Sequence, residues 1–191
     1  MSLFGKKALG LALVALLGLG AASVYAAQPS AAGATAQKVS MLGGKLAFSL
    51  PKGFTATVLP AGSAANGTAG ATGTLYSNND TKTAVIAAEN TIPNGQQAKD
   101  NDAPFLDAAV AGFLKQQAAA LPDFTKQSEK SLTLKGLGVR QIDSSATMGG
   151  GKTLNSTLLA ASGGRIAVIQ VVSRISDKAG HEALMKQILG R

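Results

Sequence analysis

The chain predicts an α+β sandwich, and three observations carry that class. Hydrophobic alternation with a period of two marks short segments over 46–59 and 73–89, and again over 125–173. Between the two groups, Leu106, Val110, Phe113, Leu114 and Leu121 recur at helical spacing. A second helical face, His181, Leu184, Met185 and Ile188, closes the chain. Strands, helix, strands, helix in that order is the pattern of helices laid on an antiparallel sheet.

The first 26 residues read as an export signal. Lys6 and Lys7 form a short positive region, 8–20 is uncharged and rich in Leu, Ala and Val, and small residues follow. Val24, Tyr25 and Ala26 place small residues at −3 and −1 of a cut before Ala27. The competing reading is an uncleaved inner-membrane anchor, since about 20 residues from Ala8 suffice to cross a bilayer as a helix. A lipoprotein would need a cysteine after the cut, and the chain has none. Disulfides and thiolate metal sites are excluded with it.

Residues 27–38 are mostly Ala, Ser, Gly and Thr, too poor in apolar surface to order themselves, and predict a tether. One domain over 39–191 follows. Leu46, Phe48 and Leu50 alternate with Ala47 and Ser49 until Pro51, which predicts a half-buried strand with 54–59 as its partner. Residues 60–73 predict a long flexible loop. A hairpin is expected from 73–77 and 84–89, with Asn78, Asn79 and Asp80 in the turn. Asp102 before Ala103 and Pro104 is a cap-then-proline helix start, and Pro122 ends that helix. Strands over 125–134, 137–148, 153–161 and 166–173, joined by glycine-containing turns, predict a meander. Asp177 caps the closing helix.

The net charge is +8, and loss of Lys6 and Lys7 lowers it by two. The excess is dispersed, Trp is absent, Tyr occurs twice and no Lys/Arg run exceeds two, which argues against nucleic-acid binding. Weak attraction to anionic membrane surfaces or acidic partners is the consequence expected of such a surface.

Candidate chemistry is sparse. GGGKT at 149–153 invites a phosphate-loop reading. Ala146 stands where its leading glycine belongs, and the residues after Thr153 alternate like a strand, so a glycine-rich hairpin turn is expected instead. Asp100, Asp102 and Asp107 have the spacing of cation ligands but sit at a helix start, where capping explains them. His181 is the only histidine, so a Ser-His-Asp relay would depend on it and on a serine such as Ser144 or Ser145. Its place beside Leu184 and Met185 favours packing. Gln141 and Asp143 share a strand face with Val139, opposite Arg140 and Ile142, and predict a polar face turned to water with a possible binding role. No catalytic, metal or cofactor residue is assigned.

Three segments, MLGGKLAFSLPKGF (41–54), LYSNNDTKTAVIAA (75–88) and LTLKGLGVRQIDSSA (132–146), together resemble the DcrB family of bacterial envelope proteins, over nearly all of 39–191. The resemblance implies a PsbP-like fold, a curved antiparallel sheet flanked by helices. It also implies an accessory role at the inner membrane, with links to envelope maintenance and phage entry, and no catalytic residues to carry over. Many relatives are lipoproteins, whereas this chain has Val24, Tyr25, Ala26 and Ala27 at the cut.

The function expected is therefore that of an exported, periplasmic, non-enzymatic envelope protein that docks a membrane or periplasmic partner. The candidate interaction or ligand patch comprises Tyr76, Phe105, Phe113, Arg140, Gln141 and Asp143. The alternative is a carrier or sensor of a small amphipathic ligand held between the sheet and the helix of Phe105 and Phe113.

Overall fold

Leu46, Phe48 and Leu50 turn their side chains to one side of a strand, and the chain builds its first layer around them. The computed structural model describes residues 35–63 and 68–191; the expected signal peptide and most of the tether lie outside the described residues. The first strand, β1, is Gln37–Met41, so it takes up the last two residues of the expected tether. It pairs antiparallel with β2, Leu46–Leu50, with Val39 opposite Phe48 and Met41 opposite Leu46. Leu42 and Gly43, at φ of +52° and +66°, turn the chain between them.

The expected pairing of 54–59 with 46–50 is corrected. Phe54 is buried, Gly53 at φ +96° redirects the chain after Pro51, and β3, Thr55–Val58, joins a different sheet. There it pairs with β4, Thr72–Asn78. The expected flexible loop is also shorter than the composition implied. Leu59 N–H donates to Gly73 O at 2.9 Å and Gly62 N–H to Ala71 O at 3.0 Å, so the β3–β4 arm continues as a hydrogen-bonded hairpin.

β5, Thr83–Thr91, completes the expected hairpin with β4. Helix α1, Ala103–Ala120, starts where Asp102 accepts a hydrogen bond from Phe105 N–H, with Pro104 in the first turn. β6 (Thr125–Leu134), β7 (Leu137–Met148), β8 (Gly151–Ser162) and β9 (Arg165–Arg174) form the meander. Helix α2, Lys178–Ile188, is capped by Asp177. The large sheet has seven antiparallel strands in the order β3-β4-β5-β9-β8-β7-β6, and the β5–β9 pairing joins its two halves.

Alternating side chains feed two cores, one on each side of this sheet. On one side Val85, Val139, Leu158, Ile169 and Val171 pack against the β1–β2 hairpin and against Leu184, Met185 and Ile188 of α2. On the other, Ile142, Leu159 and Ile166 pack against Leu106, Val110 and Phe113 of α1. Strands β7 and β8 are covered on both faces, which is why the middle of β8 lacks a clean polar alternation.

Candidate functional site

Asp143 anchors a polar cluster between α2 and the sheet. Its position on β7 puts the carboxylate on the α2 side, and it is half-buried there. Ser128 Oγ donates to Oδ2 at 2.6 Å, Ser156 Oγ to Oδ1 at 2.6 Å and Gln141 Nε2 to Oδ1 at 2.8 Å. Lys130 Nζ stands 3.7 Å away. Burial pushes this carboxyl up, but the three hydrogen bonds and the lysine outweigh it and hold it below the ordinary carboxylate value.

His181 continues the chain of contacts. Its Nε2 is 2.9 Å from Ser156 Oγ and its Nδ1 3.0 Å from Ser173 Oγ. Since the Ser156 hydroxyl spends its hydrogen on Asp143, Nε2–H donates to Ser156, and in the neutral ring Nδ1 accepts from Ser173. The imidazole is neutral in this arrangement. Burial lowers its pKa from the ordinary 6.5, partly offset by Asp143, Glu182 and Asp177. In a hydrolytic relay the imidazole lies between the serine and the carboxylate and accepts the serine's proton. Here the serine lies between them, Nε2 is the donor, and Ser156 is buried. The cluster fastens α2 to the sheet.

Beside it, an open groove of about 680 Å³ runs between α2 and strands β6–β8. Gln141, Asp143 and Ser156 lie at its base, Leu154, Met185 and Leu189 contribute apolar surface, and Lys130, Lys178, Lys186 and Arg191 stand along it.

The expected patch residues divide among three places. Gln141 and Asp143 come together at this groove, and instead of facing water Gln141 is buried. Arg140 is also buried but faces α1, where its Nη2 is 2.8 Å from Asp107 Oδ1. Phe113 is 4% exposed and belongs to the α1 core, with Phe105 packed against it. Tyr76 lies on the same side of the sheet as α2 but in its other half, at a second groove of about 550 Å³ between β1 and the β3–β4 hairpin.

The three early aspartates are used separately. Asp102 caps α1, Asp107 meets Arg140, and Asp100 accepts from Lys45 Nζ at 2.7 Å and Ser162 Oγ at 2.6 Å. Gly149 and Gly150, both at positive φ, make the β7–β8 turn, and Lys152 leans toward Asp123 at 3.8 Å. His181 bonds Ser156 and Ser173, not the Ser144 or Ser145 anticipated from sequence. Strand alternation places Ser156 and Ser173 on the α2 face, but only the β8–β9 register brings them to one histidine.

The cyanobacterial PsbP protein (CyanoP) from Synechocystis superposes on this chain with a TM-score of 0.54, 10% sequence identity, and coverage of 88% of this chain and 96% of that one. The fold is PsbP-like. A protein of unknown function from Pseudomonas aeruginosa superposes with a TM-score of 0.43 at 15% identity, over 80% of this chain and 92% of its own. No protein-family model and no curated protein matches the chain. In the PsbP-like fold described here, no helix among the described residues is long and apolar enough to cross a membrane.

Proposed function

We propose that this chain is an exported, non-enzymatic accessory protein of the bacterial cell envelope, which docks a membrane or periplasmic partner through its sheet and helix surface. The observation that carries the reading is the saturation of its most chemistry-like cluster. Asp143, Ser156, His181 and Ser173 satisfy one another between α2 and the sheet, so these groups hold structure and leave recognition to the surface. The export signal over 1–26 and the resemblance to the DcrB family support the compartment, and the PsbP-like fold is compatible with both.

The α2 side offers the more featured surface, with the groove and its lysines. Photo-crosslinkers at Lys130, Lys186 and, on the α1 side, Lys115 are expected to capture a discrete partner in intact cells from the first two positions. Fractionation is expected to find a chain starting at Ala27 in the periplasm. Capture from no position, or a full-length chain held in the cytoplasm, would overturn the reading.

A further inference from the structure

The groove beside α2 carries positive charge that the fold does not use. Asp143 is already saturated, and Glu182 has Lys178 at 3.8 Å. Lys186 and Arg191 are exposed and, among the described residues, in no ion pair. Arg191 N–H donates to Lys186 O at 2.9 Å, which holds the turn after α2 beside Lys186, and both residues line the groove. Compensation of the helix dipole accounts for Lys186 in the last turn of α2 but not for Arg191 beyond it. An anion placed there meets two cations that, among the described residues, are in no ion pair, while Glu182 in the same groove is taken up by Lys178.

Adjoining these cations is apolar surface. Leu154 and Leu189 are partly exposed in the groove, and Met185, buried beneath, adds an adaptable thioether. The volume of about 680 Å³ is that of a small-molecule site. At the C-terminal end of α2, Lys186 and Arg191 put unpaired positive charge beside the aliphatic Leu154, Met185 and Leu189, and the complementary ligand carries an anionic group and an apolar one.

We infer that this groove binds a small anionic amphiphile, with a carboxylate or phosphate head at Lys186 and Arg191 and an aliphatic tail along Leu154, Met185 and Leu189. The groove lies on the α2 face proposed above for partner docking, but its ligand binding is read on the isolated chain and needs no partner. The test is titration of the full exported chain with dodecyl phosphate below its micelle concentration, followed by calorimetry and by the Met185 methyl resonance. Saturable binding is expected, at least about tenfold tighter than inorganic phosphate, the gain from burying only two or so methylenes.

K186E combined with R191E is expected to weaken binding by about tenfold or more, since it removes charge-assisted contacts. K115E, on the α1 side, leaves it unchanged. Both substitutions in the double variant are at exposed side chains, and its unfolding midpoint verifies the fold. No binding, equal binding of dodecyltrimethylammonium, equal binding of inorganic phosphate, or a double variant that binds undiminished would each overturn the inference. Displacement by phosphatidylglycerol vesicles supports a membrane-lipid head as the natural source, and retention supports a free solute.

Discussion

Two buried side chains set the testable chemistry at the scale of single residues. Thr157 is 1% exposed, lies on the α1 side of β8 between Ile142 and Gln170, and its hydroxyl has no hydrogen-bond partner among the described residues. An unsatisfied buried polar group costs about 1–3 kcal/mol, and valine has the same shape. Thr157→Val is therefore expected to stabilise the fold by roughly 1 kcal/mol in urea unfolding. His181 gives the opposite kind of test. Its pKa is depressed in the folded state, so below 6.5 the unfolded chain takes up a proton that the folded chain refuses. The fold keeps its full stability above that value and loses it progressively as pH falls from 6.5 toward the folded pKa. His181→Gln is expected to flatten this part of the urea midpoint profile. The depressed Asp143 carboxyl adds a second loss only further down, below its ordinary 3.8.

At the scale of elements, the β1–β2 hairpin is held to the rest of the fold by its apolar face and a few polar contacts. It shares no strand pairing with the seven-stranded sheet. Besides its apolar face, it is held where Glu89 on β5 accepts from Leu42 N–H at 2.6 Å, and Arg165 steadies Glu89 from 3.3 Å. Lys45 meets Asp100, and Gln187 of α2 donates to Ser49 O at 3.1 Å. Glu89→Ala is expected to cost about 1–3 kcal/mol by leaving a buried N–H unpaired. Hydrogen exchange over 37–50 is expected to rise before that of β7–β9. This hairpin is also where sequence reading fell short. Leu46, Phe48 and Leu50 announced β2, but Val39 and Met41 alternate just as well and were overshadowed by the low-complexity run before them. Both helix caps, Asp102 and Asp177, were legible because capping is local chemistry. The partner of β2 was not, because pairing is decided across space.

At the scale of the whole molecule, the same division holds. The meander 125–174 was readable because consecutive antiparallel strands with short turns pair in order. The placement of β9 beside β5 was not readable, since nothing local links 84–91 to 165–172. The scatter of the six expected patch residues has the same cause. Arg140 and Gln141 are neighbours in sequence, yet the strand sends one to α1 and the other to α2. The cluster of Ser128, Asp143, Ser156 and His181 draws on three strands and a helix, so no spacing along the chain reveals it.

The position of β9 also dictates an order of events in time. Strand β5 has no neighbour on its inner edge until residues 165–174 arrive, after every other strand of the sheet. Until then the β3–β4–β5 hairpins cannot close on the rest of the sheet, and the core they share with α2 has no opposite wall. A chain stopped at Gly163 is accordingly expected to show no cooperative unfolding transition by circular dichroism, although it retains eight of the nine strands. Because the two halves of the sheet meet only through the β5–β9 pairing, the fold rests on a contact distant in sequence and closes late, not strand by strand.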